Sequence, residues 1–470
     1  MVFSSLIFLY AFFPACLLCY MAAGSMRMKN LILLVFSLFF YAWGEPVWVL
    51  LMIATSVFIH WAGLRIERHR HTPKARLYLI LAIVAALASL VVFKYLGFVV
   101  ENISALTGSD WPVPQFSLPI GISFYTFQSL TYAIDLYHGN TEVQRSRLNF
   151  MLYVALFPQL IAGPIVRYAD ISRQINRRKM TWSGFSYGMS RFLIGMGKKV
   201  LIANYAGQLV DRTLAAGLSS ISVLEAWLGI LAFSLQIYFD FSGYSDMAIG
   251  LGRIFGFEFK ENFNYPYVSS SITDFWRRWH ISLSSFFRDY VYIPLGGNRR
   301  YQVRNMLVVW ALTGLWHGAS WNFILWGLYF FVLLFLEKKF LGRLLSRLPA
   351  VVGHLYTLFI VLIGWVFFYF TEASGIGHML SLMFGFSGQV AVRLQATVLL
   401  RENILFFALA FIAATPLAAR WTRRLLALPL GGRPSLLRTG TAIAVNIVLL
   451  LICTAALVGS TYNPFLYFRF

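Results

Sequence analysis

The chain has 470 residues, of which 59% are hydrophobic and only 12% charged. A soluble globular domain does not sustain so much apolar sequence, whereas a set of membrane spans does. The formal net charge of +21 falls in short clusters between apolar runs. That is the positive-inside pattern of a polytopic membrane protein and excludes a nucleic-acid binder.

Residues 3–23 form the first apolar run, closed by Gly24 and followed by Arg27 and Lys29. With no basic segment ahead of it, it reads as an uncleaved span with its N-terminus outside. Residues 31–63 are too long for one crossing and break at Gly44-Glu45-Pro46, an outer turn. Arg65, Arg68, Arg70, Lys74 and Arg76 put the next loop in the cytoplasm. Residues 77–100 then cross outward, 101–115 carry no Lys or Arg, and 116–137 return towards Arg145 and Arg147. Phe150–Arg167 holds Pro158 and Gly163-Pro164 between basic flanks, which predicts a re-entrant or broken segment. Irregular backbone at membrane depth must be buried in protein or line a cavity. Residues 183–204 are interrupted by Lys198 and Lys199. Residues 221–256 read as a helical pair whose Asp240 and Asp246 must face the protein interior or water.

Thr273–Tyr292 differs in kind. Arg277, His280, Ser284 and Arg288 recur at spacings of three and four, with Trp276, Trp279, Leu283, Phe287 and Tyr290 on the other faces. The pattern predicts one amphipathic helix at the cytoplasmic interface. The basic loop Asn298 to Arg304 follows. Leu312–Gly327 then sets His317 between Trp316 and Gly318 in apolar sequence with basic clusters on both flanks, near the turn of a membrane hairpin. An ionisable side chain there is costly, so it marks a functional site or a histidine bonded to a neighbouring carbonyl. Residues 351–370 cross outward, 371–402 are mostly outside, and 403–419 return to Arg420, Arg423, Arg424, Arg433 and Arg438. Residues 439–460 cross once more and leave the C-terminus outside. The expected fold is an all-α integral membrane domain spanning 1–470, with roughly ten to twelve spans.

Several motifs carry only packing. Gly184-Phe-Ser-Tyr-Gly188 matches the nucleophile-elbow pattern but lacks its strand–turn–helix context, so it reads as close helix contact. Gly250-Leu-Gly-Arg-Ile-Phe-Gly256 lacks dinucleotide spacing and reads the same way. The three cysteines, Cys16, Cys19 and Cys453, sit in apolar runs, which argues against a disulfide framework or a metal site. Of the eight histidines, His69 and His71 fall in a basic loop, and His60, His138, His354 and His378 are isolated. His280 and His317 remain as candidates to share a cavity, where a histidine tuned near neutral pH acts as a general base.

Phe275-Trp-Arg-Arg-Trp-His-Ile-Ser-Leu-Ser284, Arg288-Asp-Tyr-Val-Tyr-Ile293 and Gly314-Leu-Trp-His-Gly318 resemble the membrane-bound O-acyltransferase family. Leu118-Pro-Ile-Gly-Ile-Ser-Phe-Tyr-Thr-Phe127 and Gln236-Ile-Tyr-Phe-Asp-Phe-Ser-Gly-Tyr-Ser-Asp-Met247 resemble its bacterial branch that O-acetylates alginate, which also includes cellulose acetylation and teichoic-acid D-alanylation proteins. The resemblance implies a ring of helices in the bacterial inner membrane, with a tunnel from the cytoplasm to an outer funnel. It makes His317 the catalytic histidine and His280 the second recurrent one. It also implies acetyl-CoA as the acyl donor on the cytoplasmic side and no metal. Charge then nominates Arg277, Arg278, Arg288, Arg299 and Arg300 for the donor's phosphates, the other reading being a solvated or lipid-facing cluster. The ending Pro464-Phe-Leu-Tyr-Phe-Arg-Phe470 resembles an aromatic C-terminal motif in which the tyrosine, here Tyr467, is implicated as an acyl carrier. An interfacial aromatic anchor is its other reading. A periplasmic esterase-like acetyltransferase would be the partner that modifies the polymer. A small-anion transporter is the alternative of another class, and it lacks the expected internal repeat.

Overall fold

The computed structural model describes residues 1–421 except Ala162, Ala216 and Ala418, then 436–459 and 462–466, with only the backbone at 436–438. Tyr467, the rest of the ending to Phe470, and Arg423, Arg424 and Arg433 lie outside the described residues. The described residues form helices and no strands. Among the described residues, six helices are long and apolar enough to cross a membrane: Trp48–Arg68, Pro73–Thr107, Val223–Ile254, Ala350–Tyr369, Leu394–Ala413 and Thr439–Val458. The chain divides into two compact units, Met1–Phe192 with Tyr244–Lys260, and Leu193–Gly243 with Glu261–Phe470.

In the first unit, local chemistry sets the element ends. The Ser25 hydroxyl accepts from Met28 N–H at 3.3 Å and starts Met26–Ala42. Gly121 and Gly139, both with φ +77°, bracket Ile122–His138. The turn at Gly44-Glu45-Pro46 separates Met26–Ala42 from Trp48–Arg68, as the sequence predicts. Phe150–Arg167 is broken, also as predicted: Arg147–Ala155 ends, and a single turn Phe157–Leu160 follows. Its backbone is buried, with Phe157 N–H donating to Ser37 Oγ at 3.1 Å. Gly188 and Gly250 approach so closely that a Cβ on either would lie 2.5 Å from the other's carbonyl oxygen. Both glycine motifs are therefore packing sites. Beside them Arg191 pairs with buried Asp246 at 2.6 Å.

Two expectations about these helices need correction. Residues 221–256 are one 32-residue helix, Val223–Ile254, not a pair. A reciprocal Ser222–Glu225 cap starts it, with Ser222 N–H donating to Glu225 Oε2 at 2.7 Å. The polar residues in its middle, Tyr238, Asp240, Ser242, Tyr244 and Asp246, are buried helix interior. Lys198 and Lys199 do not interrupt their helix either. The backbone passes through a π-turn, Lys198–Ala203, between Trp182–Gly197 and Asn204–Leu214.

The second unit holds one extended core. It joins the N-terminal part of Val223–Ile254 with Trp279, Trp326, Trp365, Phe368 and Leu466. His317 ends the helix Gln302–His317, and Trp321–Leu336 returns after a three-residue turn. The two helices pack through glycine: a Cβ on Gly314 would meet the Phe323 carbonyl, and one on Gly327 the Trp310 carbonyl. This is the expected hairpin, and its two feet converge, because Lys338 Nζ donates to Asn298 Oδ1 at 2.7 Å.

Candidate active site

His317 is 6% exposed and enclosed by aromatic rings. The rings of Trp316, Trp326 and Phe368 stand edge-on to it, with centroids at 4.8, 5.0 and 5.1 Å. That contact fixes the imidazole plane from three directions. Gly318 follows in an extended conformation, where a Cβ would collide with the Phe323 ring. The chain can therefore turn tightly against the ring that follows it. Asn322 is also buried and donates from Nδ2 to the Phe367 carbonyl at 3.2 Å, tying the turn to the helix Ala350–Tyr369.

His280 is brought to the same place. Its ring centroid is 5.5 Å from that of Trp316 at 88°, so one indole contacts both histidines. Phe263 covers it from another side at 6.0 Å. The predicted amphipathic helix over Thr273–Tyr292 is not continuous. It divides into Ile272–Arg278 and Ile281–Phe287, followed by a π-turn over Arg288–Tyr292. His280 stands at the corner with φ +46° and ψ +53°, a left-handed conformation that histidine adopts more readily than most residues. The break arises because two external caps compete with helix continuation. The Asn262 carbonyl accepts from Ile281 N–H at 2.9 Å, and its Oδ1 accepts from Ser282 N–H at 3.0 Å. The corner turns His280 inward, 1% exposed, away from the surface occupied by Arg277. Burial pushes its imidazole down to about 3, so it is neutral at physiological pH.

Glu337 was not anticipated from sequence. Buried at 6% exposure, it accepts from Ile272 N–H at 2.6 Å and from Thr273 N–H and Oγ1 at 2.9 and 2.7 Å. It caps the first helix of the corner from the end of the hairpin. In sequence it stands beside Lys338 and Lys339, and nothing there marks it as a buried cap. The five candidate phosphate-binding arginines lie at the surface. Arg278 pairs with Asp274 at 3.0 Å and Arg288 with Asp289 at 2.6 Å. Arg277, Arg299 and Arg300 are exposed. The loop bearing the last two is pinned by buried Asn305, whose Nδ2 donates to the Gly297 and Arg300 carbonyls at 3.0 and 2.7 Å. Asn305 lies on the helix that ends in His317. The isolated His60 and His354 are held by backbone carbonyls, of Gln144 at 2.9 Å and Ser269 at 3.1 Å, as structural histidines are.

The acids foreseen on Val223–Ile254 are indeed internal, and their partners are now visible. Asp240 pairs with Lys199 at 2.7 Å, with the two side chains 1% and 4% exposed. Lys199 was missed because, in sequence, a lysine in an apolar run looks like an interruption.

The profile of the membrane-bound O-acyltransferase family matches residues 144–383, a stretch that contains His280, His317 and the five arginines. The chain is 39% identical to a probable alginate O-acetylase of Azotobacter vinelandii over 505 aligned positions, covering 100% of both chains. It is 44% identical to the probable alginate O-acetylase of Pseudomonas aeruginosa over 394 positions, covering 82% of this chain and 75% of that one. The peptidoglycan O-acetyltransferase of Helicobacter pylori is 34% identical over 425 positions, with 83% and 80% covered. With a buried histidine at the end of an apolar hairpin and this extent of similarity, the chain belongs to the membrane-bound O-acyltransferase family and is an O-acyltransferase.

Proposed function

We propose that the protein moves an acetyl group from acetyl-CoA on the cytoplasmic side of the inner membrane to an exopolysaccharide outside, with alginate as the polymer. The observation that carries this reading is the end-to-end similarity to a probable alginate O-acetylase. In the proposed reaction His317 is the general base. It takes the proton of the attacking hydroxyl, the oxygen bonds to the thioester carbonyl, the C–S bond breaks, and the thiolate leaves with the proton. Tyr467 is the proposed acceptor and carrier, its phenol becoming an acetyl ester. A periplasmic esterase-like partner then passes the acetyl group to a polymer hydroxyl. Arg277, Arg299 and Arg300 are exposed, which suits the phosphates of the donor.

His280 is the proposed second site residue. Held neutral beside Trp316, it acts through hydrogen bonding and placement of the indole, not through proton transfer. The test is acyl transfer from acetyl-CoA by purified protein, wild type against His317→Ala. A loss of at least 100-fold is expected, and unchanged activity would remove the proposal. Tyr467→Phe keeps an aromatic anchor and removes the hydroxyl, so surviving polymer acetylation would end the carrier role.

A further inference from the structure

The C-terminal segment is docked on the second unit by a buried ion pair. Lys199 Nζ sits 2.7 Å from Asp240 Oδ1 and also donates to the Pro464 carbonyl. The other carboxylate oxygen, Asp240 Oδ2, accepts from Leu466 N–H at 2.9 Å. Lysine, aspartate and the two backbone groups thus form a closed ring. Around it, Asn204 Nδ2 donates to Asn463 Oδ1 at 3.2 Å. Gly207 leaves room for Tyr462, since a Cβ there would lie 2.7 Å from the tyrosine oxygen. Phe465 and Leu466 are 6% and 1% exposed, and Leu466 shares the core that contains Trp326 and Phe368, the rings against His317.

An ion pair at this depth is a weak source of stability, because desolvation offsets most of its Coulomb energy. This pair, however, does more than join two helices. Each partner also bonds a backbone group of the same short segment. The π-turn Lys198–Ala203 lies where the lysine is needed, an irregularity common at functional positions.

We infer that Lys199 and Asp240 are positioning residues for acyl transfer, which recognise the backbone of Tyr462–Leu466 and hold the chain's end at the reacting unit. This inference rests on the reading of Tyr467 as carrier. Tyr467 is one residue beyond the docked Leu466, about 3.8 Å along the chain, so docking replaces a diffusing tail by a tethered one.

The test separates recognition of the segment from simple helix pairing. In a Cys19→Ser background, Phe465→Cys reports docking through its rate of maleimide labelling. Lys199→Asp with Asp240→Lys preserves opposite charges, but it places a donor where Leu466 N–H needs an acceptor and an acceptor where the Pro464 carbonyl needs a donor. If the pair only joins helices, the reversal restores melting temperature, protection and activity together. If it docks the segment, labelling rises at least tenfold and kcat falls at least tenfold, while KM for acetyl-CoA stays within twofold. Should the reversed protein not fold, Lys199→Met with Asp240→Leu is read the same way, since an apolar pair replaces a buried ion pair without leaving a lone charge. Wild-type labelling in these folded variants, or fast labelling with wild-type kcat, overturns the inference. Full transfer by Tyr467→Phe removes the carrier reading instead, and the labelling rates still report docking.

Discussion

At the scale of the residue, the site is one indole in contact with two histidines. His317 terminates a helix and is held edge-on by rings, while His280 is forced into a left-handed corner and buried. The corner makes a stability prediction. Asparagine tolerates this backbone better than alanine does, so His280→Asn should be more stable than His280→Ala by roughly 1 kcal/mol, measured by thermal melting in detergent. Burial also couples His280 to pH. Its ordinary value is 6.5 and its folded value about 3, so between these the unfolded chain binds a proton that the folded chain does not. Stability from this group is complete above about pH 6.5 and is lost as pH falls towards 3. Between pH 7 and pH 5 the wild-type melting temperature should drop by more than that of His280→Asn. Equal slopes would show that His280 does not stay neutral. His317 was legible as an isolated titratable group in apolar sequence, and the family motif singled out His280. That Trp316 joins the two was not legible, because the contact depends on a backbone corner imposed by Asn262.

At the scale of the element, glycines and internal ion pairs decide how helices meet. Gly314 and Gly327 let the hairpin helices approach until carbonyl groups lie where a Cβ would stand. Gly314→Val should cost about 1–3 kcal/mol by overpacking, seen as a lower melting temperature. Acyl transfer should fall with it, because the residue is one helical turn from His317. Arg191 pairs with buried Asp246 at 2.6 Å. Arg191→Met takes this pairing away from a buried carboxylate and should destabilise by about 3 kcal/mol. Adding Asp246→Leu should recover most of that, and a double variant no better than the single would disprove the pairing. Periodicity found most apolar helices, and the turn at Gly44-Glu45-Pro46 was visible from its residues. It failed at Val223–Ile254, read as a pair of helices, where Tyr238, Asp240, Ser242, Tyr244 and Asp246 are the buried interior of a single helix. It failed in the opposite sense at Trp279-His280, where a good helical pattern is overridden by capping from elsewhere in the chain.

At the scale of the whole molecule, topology is the matter to test. Charge clusters put Lys74 inside and Asp110 outside. Single cysteines at these positions, in a Cys19→Ser background, should label from opposite sides of intact membrane vesicles. Labelling from the same side would reverse the assignment for the helix Pro73–Thr107 that separates them. Composition and charge by themselves determined that this is an all-helical membrane protein, and its motifs determined the acyltransferase resemblance. Both follow from properties summed over residues or read at fixed spacing, which need no knowledge of what packs where. Only the tertiary structure decided that Lys199 answers Asp240, that Glu337 caps Ile272–Arg278, and that Pro464 and Leu466 are held by the same ion pair. The physical reason is burial: a charge inside the protein must find its partner through space, and those partners lie tens to hundreds of residues away in the chain.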